Sequence, residues 1–151
     1  MESNFVLNDF LPFRLNVLAQ TVSERLSAIY VSKFNLDIPQ WRILANLASR
    51  GDMTAQDIAR ITYSHKSTVS RAVQELENRG FIARKVSLAD KRSFTLALTS
   101  EGRRMFRQLL PLVLEFERKL MASISDADAR ALLKGLAALE TVLLGSDGET
   151  E

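Results

Sequence analysis

The sequence predicts a mainly α-helical chain with one small β-hairpin, in the order four helices, hairpin, two helices. Three observations lead there. Apolar residues recur at steps of three and four through most of the chain, the mark of one buried helical face. Just past Gly80 the period drops to two, and it turns helical again after Thr99. Glycine and proline are few, six and three, and most of the strong breakers (Pro39, Gly51, Gly80, Gly102, Pro111, Gly135, Gly145) fall between periodic segments. At 151 residues a single domain, 1–151, is expected, and 46% hydrophobic with 25% charged residues is a globular balance that argues against disorder.

From 7 to about 34, Phe10, Leu11, Leu15, Leu18, Val22, Leu26 and Ile29 mark the first helix. Pro39 suits the first turn of a second, which Trp41, Ile43, Leu44 and Leu47 continue and Gly51 closes. Thr54 opens a third, with Asp57 as its reciprocal capping partner and Ile58 and Ile61 facing inward. Tyr63-Ser64 interrupts it. Ser64 is the expected N-cap of a fourth helix, which runs to about Arg79 and stops at Gly80. The β-favouring run 81–86, and the alternation of Phe94, Leu96 and Leu98 with Ser93, Thr95, Ala97 and Thr99, predict a hairpin around the polar loop 87–92. Thr99 or Ser100 caps a fifth helix over roughly 100–122, and Ser125 a sixth over roughly 125–144, before a polar tail, 146–151.

Composition removes several function classes. Without cysteine there is no thiolate metal site, disulfide framework or thiol redox switch, and a single histidine, His65, leaves little for zinc or a Ser-His-Asp hydrolase. No catalytic residue, metal or cofactor is therefore expected. No apolar run approaches the ~18–20 residues of a membrane span, and the start lacks the basic region of a secretion signal, so a cytoplasmic protein off the membrane is expected.

Charge is unevenly spread. The whole chain carries +2, but between Arg60 and Arg107 eleven Lys and Arg stand against four acids, a net +7, and the remainder is −5. A basic middle between acidic ends fits contact with a polyanion, although an ordinary solvated surface is the alternative.

Residues 54–79 have the proportions of a helix-turn-helix, two short helices joined by a tight polar turn. On a helical wheel Val69, Ala72, Val73 and Leu76 of the second helix face the core. Ser67, Arg71 and Gln74 lie opposite, with Lys66, Thr68 and Ser70 on the flanks, and no acid appears before Glu75 and Glu77. Short hydroxyl side chains allow close backbone approach, and Arg and Gln make forked hydrogen bonds to base edges. The helix start, where Ser64 and His65 sit, offers amide donors to phosphate. For His65 a phosphate contact competes with simple exposure. In the hairpin loop Lys91 and Arg92 are placed to reach the neighbouring minor groove, with the Asp90 carboxylate expected to pair with and orient the Arg92 guanidinium.

The runs Leu-Ala-Asn-Leu-Ala (44–48), Asp57-Ile58-Ala59, Ser67-Thr68-Val69-Ser70-Arg71, Leu76-Glu77-Asn78-Arg79-Gly80-Phe81-Ile82, Asp90-Lys91-Arg92-Ser93 and Leu98-Thr99-Ser100-Glu101-Gly102 resemble the MarR family of bacterial transcriptional regulators. The specific part is Asp-Lys-Arg-Ser at this distance from Ser-Thr-Val-Ser-Arg. The resemblance covers about Pro39 to Gly102 and implies a winged helix-turn-helix lobe over 36–102, flanked by dimerisation helices over 1–35 and 103–145. It further implies a homodimer on a pseudopalindromic operator in double-stranded DNA. Many members are repressors released by a small aromatic or anionic effector.

The residues add a softer case for a dimer. Phe5, Val6, Leu7, Phe10 and Phe13 at one end, and Leu109 to Leu114, Phe116 and the leucines of 132–144 at the other, exceed one core-facing stripe. They cover one another within a monomer or across a two-fold axis. Trp41 and Tyr63 are candidates for an effector crevice, with core packing the alternative for Trp41. Arg14 and Arg25 are candidates for an anion or are merely solvated, so the effector residues stay unassigned. The competing functional reading is a winged-helix protein–protein interaction adaptor whose basic face meets an acidic partner. An enzyme would need a nucleophile–base pair or a carboxylate dyad, and the acids of the basic segment are too few and scattered.

Overall fold

The computed structural model describes residues 5–86, 88, 90 and 92–145, and the polar tail lies outside them. Six helices and a two-stranded antiparallel hairpin follow in the expected order. α1 (Leu11–Phe34) starts later than its apolar pattern. Leu7–Asp9 forms a separate 3-10 turn and Phe10 is extended. Pro12 explains the break: it has no N–H for the carbonyl of Asn8, and its ring would collide with that carbonyl.

α2 (Ile38–Arg50) opens on a capping box formed by Asp37 and Gln40. The Gln40 N–H donates to Asp37 Oδ1 at 2.8 Å, and the Asp37 N–H donates back to Gln40 Oε1 at 3.1 Å. Thr54 caps α3 (Ala55–Ile61) by accepting the Asp57 N–H at 3.0 Å. The Asp57 carboxylate takes the Thr54 hydroxyl at 2.9 Å, where a full box would take the Thr54 N–H.

That hydroxyl, and then the Arg60 guanidinium, hold the Asp57 carboxyl below its usual value. A depressed folded-state value contributes stability above the unfolded pKa and loses it as pH falls through the folded one. Thermal melts should therefore show wild type more stable than Asp57→Asn at neutral pH. The gap should close below about pH 4; a gap that persists there would remove the carboxylate from the cap.

α4 (Lys66–Asn78) is followed by β1 (Ile82–Val86) and β2 (Phe94–Leu98), paired with Ile82 opposite Leu98 and Val86 opposite Phe94. Met53 joins as an isolated bridge, its N–H and C=O meeting those of Leu96 at 3.1 and 2.7 Å, and this ties the hairpin to the chain between α2 and α3. The expected alternation holds only in part. Leu96 is buried, but so is Ala97, and Phe94 is 48% exposed at the loop end of the ladder.

Thr99 is the cap of α5 (Ser100–Ala122): its hydroxyl accepts the Gly102 N–H at 3.0 Å and donates to the Gly80 carbonyl at 2.6 Å. Ser125 caps α6 (Asp126–Leu144), accepting the Asp128 N–H at 3.1 Å. Three supposed breakers, Gly102, Pro111 and Gly135, lie inside these helices. α5 survives the hydrogen bond lost at Pro111 because Leu109 and Val113, on either side, are both buried in the core.

The chain divides within α5 into two units, Met1–Val113 and Leu114–Glu151. In the first, Tyr30, Leu36, Ile43, Leu44, Ile58, Leu76 and Leu109 are sealed from solvent at the centre of the core. Each large aliphatic buried this way contributes roughly 1.5–3 kcal/mol. Trp41 is a packing residue, stacked at 5.4 Å on Tyr30 and 5.9 Å on Phe106. The Tyr30 hydroxyl finds no hydrogen-bond partner among the described residues, and burial pushes its pKa up to about 12. In the second unit α6 buries no residue. No described helix is long and apolar enough to cross a membrane.

Candidate nucleic-acid interface

α4 sorts its residues as the wheel predicts. Val69, Ala72, Val73 and Leu76 are buried, whereas Lys66, Ser67, Ser70, Arg71 and Gln74 are exposed, with His65 just ahead of them. Thr68 is half-buried on the flank. Because one side is locked into the core, the opposite side is presented to solvent in a single orientation.

Ser64 is not the cap of α4. His65 occupies that position with extended backbone, and no side chain bonds the first turn. The displacement comes from the end of α3. There the Ser64 N–H donates to the Ala59 carbonyl at 2.9 Å and the Tyr63 N–H to the Arg60 carbonyl at 3.4 Å, a Schellman closure that draws Ser64 into the turn. Its half-buried hydroxyl accepts from the Thr62 hydroxyl at 2.9 Å instead. The first amides of α4 are thus left without a side-chain acceptor, ready for an external one. Tyr63 takes the left-handed position of this closure, at φ 51°, which costs an L-residue roughly 1–2 kcal/mol.

In the hairpin loop Lys91 lies outside the described residues. The Arg92 N–H donates to Asp90 Oδ1 at 2.9 Å, and the N–H and hydroxyl of Ser93 both reach the Asp90 carbonyl at 3.1 Å. Asp90 therefore meets the main chain of Arg92, and the expected pairing with its guanidinium is corrected. In a tight turn the N–H two residues on is the donor nearest an aspartate carboxylate. The Arg92 side chain forms no ion pair with a described residue.

Much of the charge in the basic segment is spent inside the protein. Arg79 donates to the carbonyls of Phe34 and Asn35 at 2.7 and 2.8 Å and lies 4.8 Å over the Phe81 ring. Arg84 pairs with Glu77 at 2.9 Å, Lys85 with Asp52 at 3.0 Å, Arg60 with Asp57 at 3.3 Å, and Arg104 with Glu101. Arg103 reaches the Leu98 carbonyl at 2.7 Å. Exposed pairs of this kind contribute only ~0.2–1 kcal/mol each, so their effect is chiefly to orient. Lys66 has no side-chain partner among the described residues, and Arg71 has only a long 3.4 Å contact with the Ser67 carbonyl. Among the described residues of this segment, Lys66 and Arg71 on α4, Arg92 in the loop and Arg107 on α5 keep their charge free of an acidic partner or a short carbonyl contact. The two acids of α4 are engaged elsewhere, Glu77 by Arg84 and Glu75 by the Gln40 amide.

Beside this face a cleft of about 460 Å³ runs between α4 and the hairpin, with Thr54, Lys66, Ser70, Arg84, Phe94 and Leu96 in its walls. Its combination of cations with an exposed aromatic edge was not legible beforehand, since the residues come from four separate elements.

Comparison with known proteins gives a consistent result. The MarR family profile matches residues 34–93, the stretch from the end of α1 to the hairpin loop. The HTH-type transcriptional regulator YwoH of Bacillus subtilis is 28% identical over 125 residues, which cover 83% of this chain and 90% of that protein. A MarR family transcriptional regulator from Silicibacter pomeroyi superposes with a TM-score of 0.77 at 28% identity, covering 93% of each chain. A MarR/EmrR family transcriptional regulator from Acinetobacter sp. ADP1 superposes with a TM-score of 0.79 at 27% identity, covering 92% of this chain and 98% of that one. With its buried-backed α4 and its hairpin wing, the chain is similar in fold and sequence to MarR family transcriptional regulators of the winged helix-turn-helix type.

Proposed function

We propose that the chain acts as a homodimeric repressor on a pseudopalindromic operator in cytoplasmic DNA, released by a small aromatic or anionic effector. The observation that carries this reading is the exposed face of α4, which holds no acid before Glu75, is backed by four buried residues and carries Lys66 and Arg71. Arg71 and Gln74 read base edges in the major groove, and Ser67 and Ser70 let the helix close on them. Ser64, His65, Lys66 and Thr68 lie toward phosphate. Arg92, with Lys91, enters the adjacent minor groove from a tip shaped by Asp90.

Dimerisation is supported by apolar stripes that each unit leaves uncovered. On α1 Leu11, Leu15 and Leu18 are 52, 39 and 57% exposed, and on α6 Leu132, Leu133, Leu136 and Leu139 are also open to solvent. A two-fold axis would present two copies of α4 about 34–36 Å apart, one duplex turn. For the effector the supporting feature is the cleft beside α4, where an aromatic anion would meet Lys66 and compete with DNA for it.

Selection of bound sequences from random duplex DNA tests the whole reading. Two inverted half-sites centred one turn apart are expected, and a purified chain that enriches nothing would overturn it. On the selected operator Arg71→Ala should cost about 1–3 kcal/mol and relax preference at one position of each half-site. Unchanged affinity, read by fluorescence anisotropy, would take base reading away from Arg71.

A further inference from the structure

We propose that Tyr63 is a DNA-contacting residue, its phenolic hydroxyl donating to a backbone phosphate of the strand that runs past the turn between α3 and α4. This inference rests on the duplex-binding reading above and adds to it a contact that neither the recognition face nor the wing supplies.

Tyr63 occupies the left-handed position that closes α3, where glycine is the usual occupant because it has no Cβ to clash. Among the described residues the other positive-φ positions hold Asn35, Gly51 and Gly80, types that accept such a conformation at little cost. Local preference therefore does not account for a tyrosine here. Packing does not account for it either. The side chain is 90% exposed and makes no hydrogen bond, ion pair or ring contact with a described residue.

The turn nevertheless holds the residue firmly. Thr62 and Ser64 share a hydroxyl–hydroxyl bond across it at 2.9 Å, and the Thr62 N–H is tied to the Ile58 carbonyl at 2.9 Å. The ring is thus held out into solvent inside the element that reads DNA, three residues before Lys66 and four before Ser67. A tyrosine in that place offers a neutral donor for a phosphate oxygen and an apolar body for the adjoining sugar. Such contacts set register on the duplex without reading bases.

The test uses the full-length chain with the selected operator and an unrelated duplex, read by anisotropy across a salt series. Tyr63→Phe is expected to weaken both complexes about two- to tenfold, the loss of one neutral hydrogen bond. The salt slope should stay at the wild-type value, because a neutral donor releases no counterion. Tyr63→Gly should weaken binding at least as much while melting no lower than wild type, since relief of the left-handed clash outweighs glycine's extra freedom in the unfolded chain. Wild-type affinity in both variants, or a Tyr63→Gly protein whose only change is a lower melting temperature, would overturn the inference. Failure of wild type itself to bind either duplex would instead overturn the reading of the whole face.

Discussion

Raising salt from 50 to 200 mM is expected to weaken binding of this chain to duplex DNA about 10³–10⁵-fold, provided a dimer meets ~6–10 phosphates. The protein's overall charge of +2 would not suggest so steep a dependence. It follows from where the free cations lie. Among the described residues Lys66 at the start of α4 and Arg92 at the loop have no ion-pair partner and the first amides of α4 have no side-chain acceptor, whereas Arg79, Arg84 and Lys85 are held by internal partners. The prediction can be split by residue. Lys66→Ala should lower the slope of log affinity against log salt by about 1 for each copy that meets a phosphate. Arg84→Ala should leave that slope close to the wild-type value, because its guanidinium is already neutralised by Glu77. Equal slopes for all three proteins would show that the α4 terminus is not the electrostatic footprint.

Gly102→Ala is expected to lower stability by at least about 1–3 kcal/mol, the usual cost of overpacking, and to weaken DNA binding with it. A Cβ at Gly102 would lie 2.0 Å from the Phe81 carbonyl oxygen and 2.9 Å from its carbon, both backbone atoms that cannot rotate aside. Relief requires α5 to move off the root of the hairpin, where Thr99 also binds the Gly80 carbonyl. The wing would then be re-aimed relative to α4. Gly135→Ala in α6 is the control, since nothing lies within 4 Å of its added Cβ. That change should raise stability by roughly 0.5–1 kcal/mol as the helix exchanges glycine for a better former. Thermal melts of both variants decide the matter, at about 2–4 °C per kcal/mol for a chain of this size. If Gly102→Ala melts with wild type, the close approach of α5 to Phe81 is wrong.

Much of the architecture was legible because it is written in short-range terms. The helices follow from apolar spacing and the hairpin from a change of period. The caps at Thr54, Thr99 and Ser125 follow from hydroxyl side chains placed before apolar runs. The two sides of α4 came from the same arithmetic, and with them most of the candidate contact residues. Where local reading slipped, a competing local rule was at work: Pro12 delayed α1, and the closure of α3 moved the cap of α4 from Ser64 to His65.

Amino-acid order by itself determined the element types, the buried face of α4, and the concentration of positive charge between Arg60 and Arg107. Only the tertiary structure decided which of those charges remain available. The partners that absorb them are distant in the chain: Arg79 meets carbonyls 44 and 45 residues earlier, and Lys85 meets Asp52 33 residues earlier. The same holds for the Gln40 amide on Glu75, the Met53 bridge to Leu96 and the seat of Gly102 on Phe81. Periodicity describes how one segment faces its surroundings, so a contact between segments is invisible until packing brings their surfaces together.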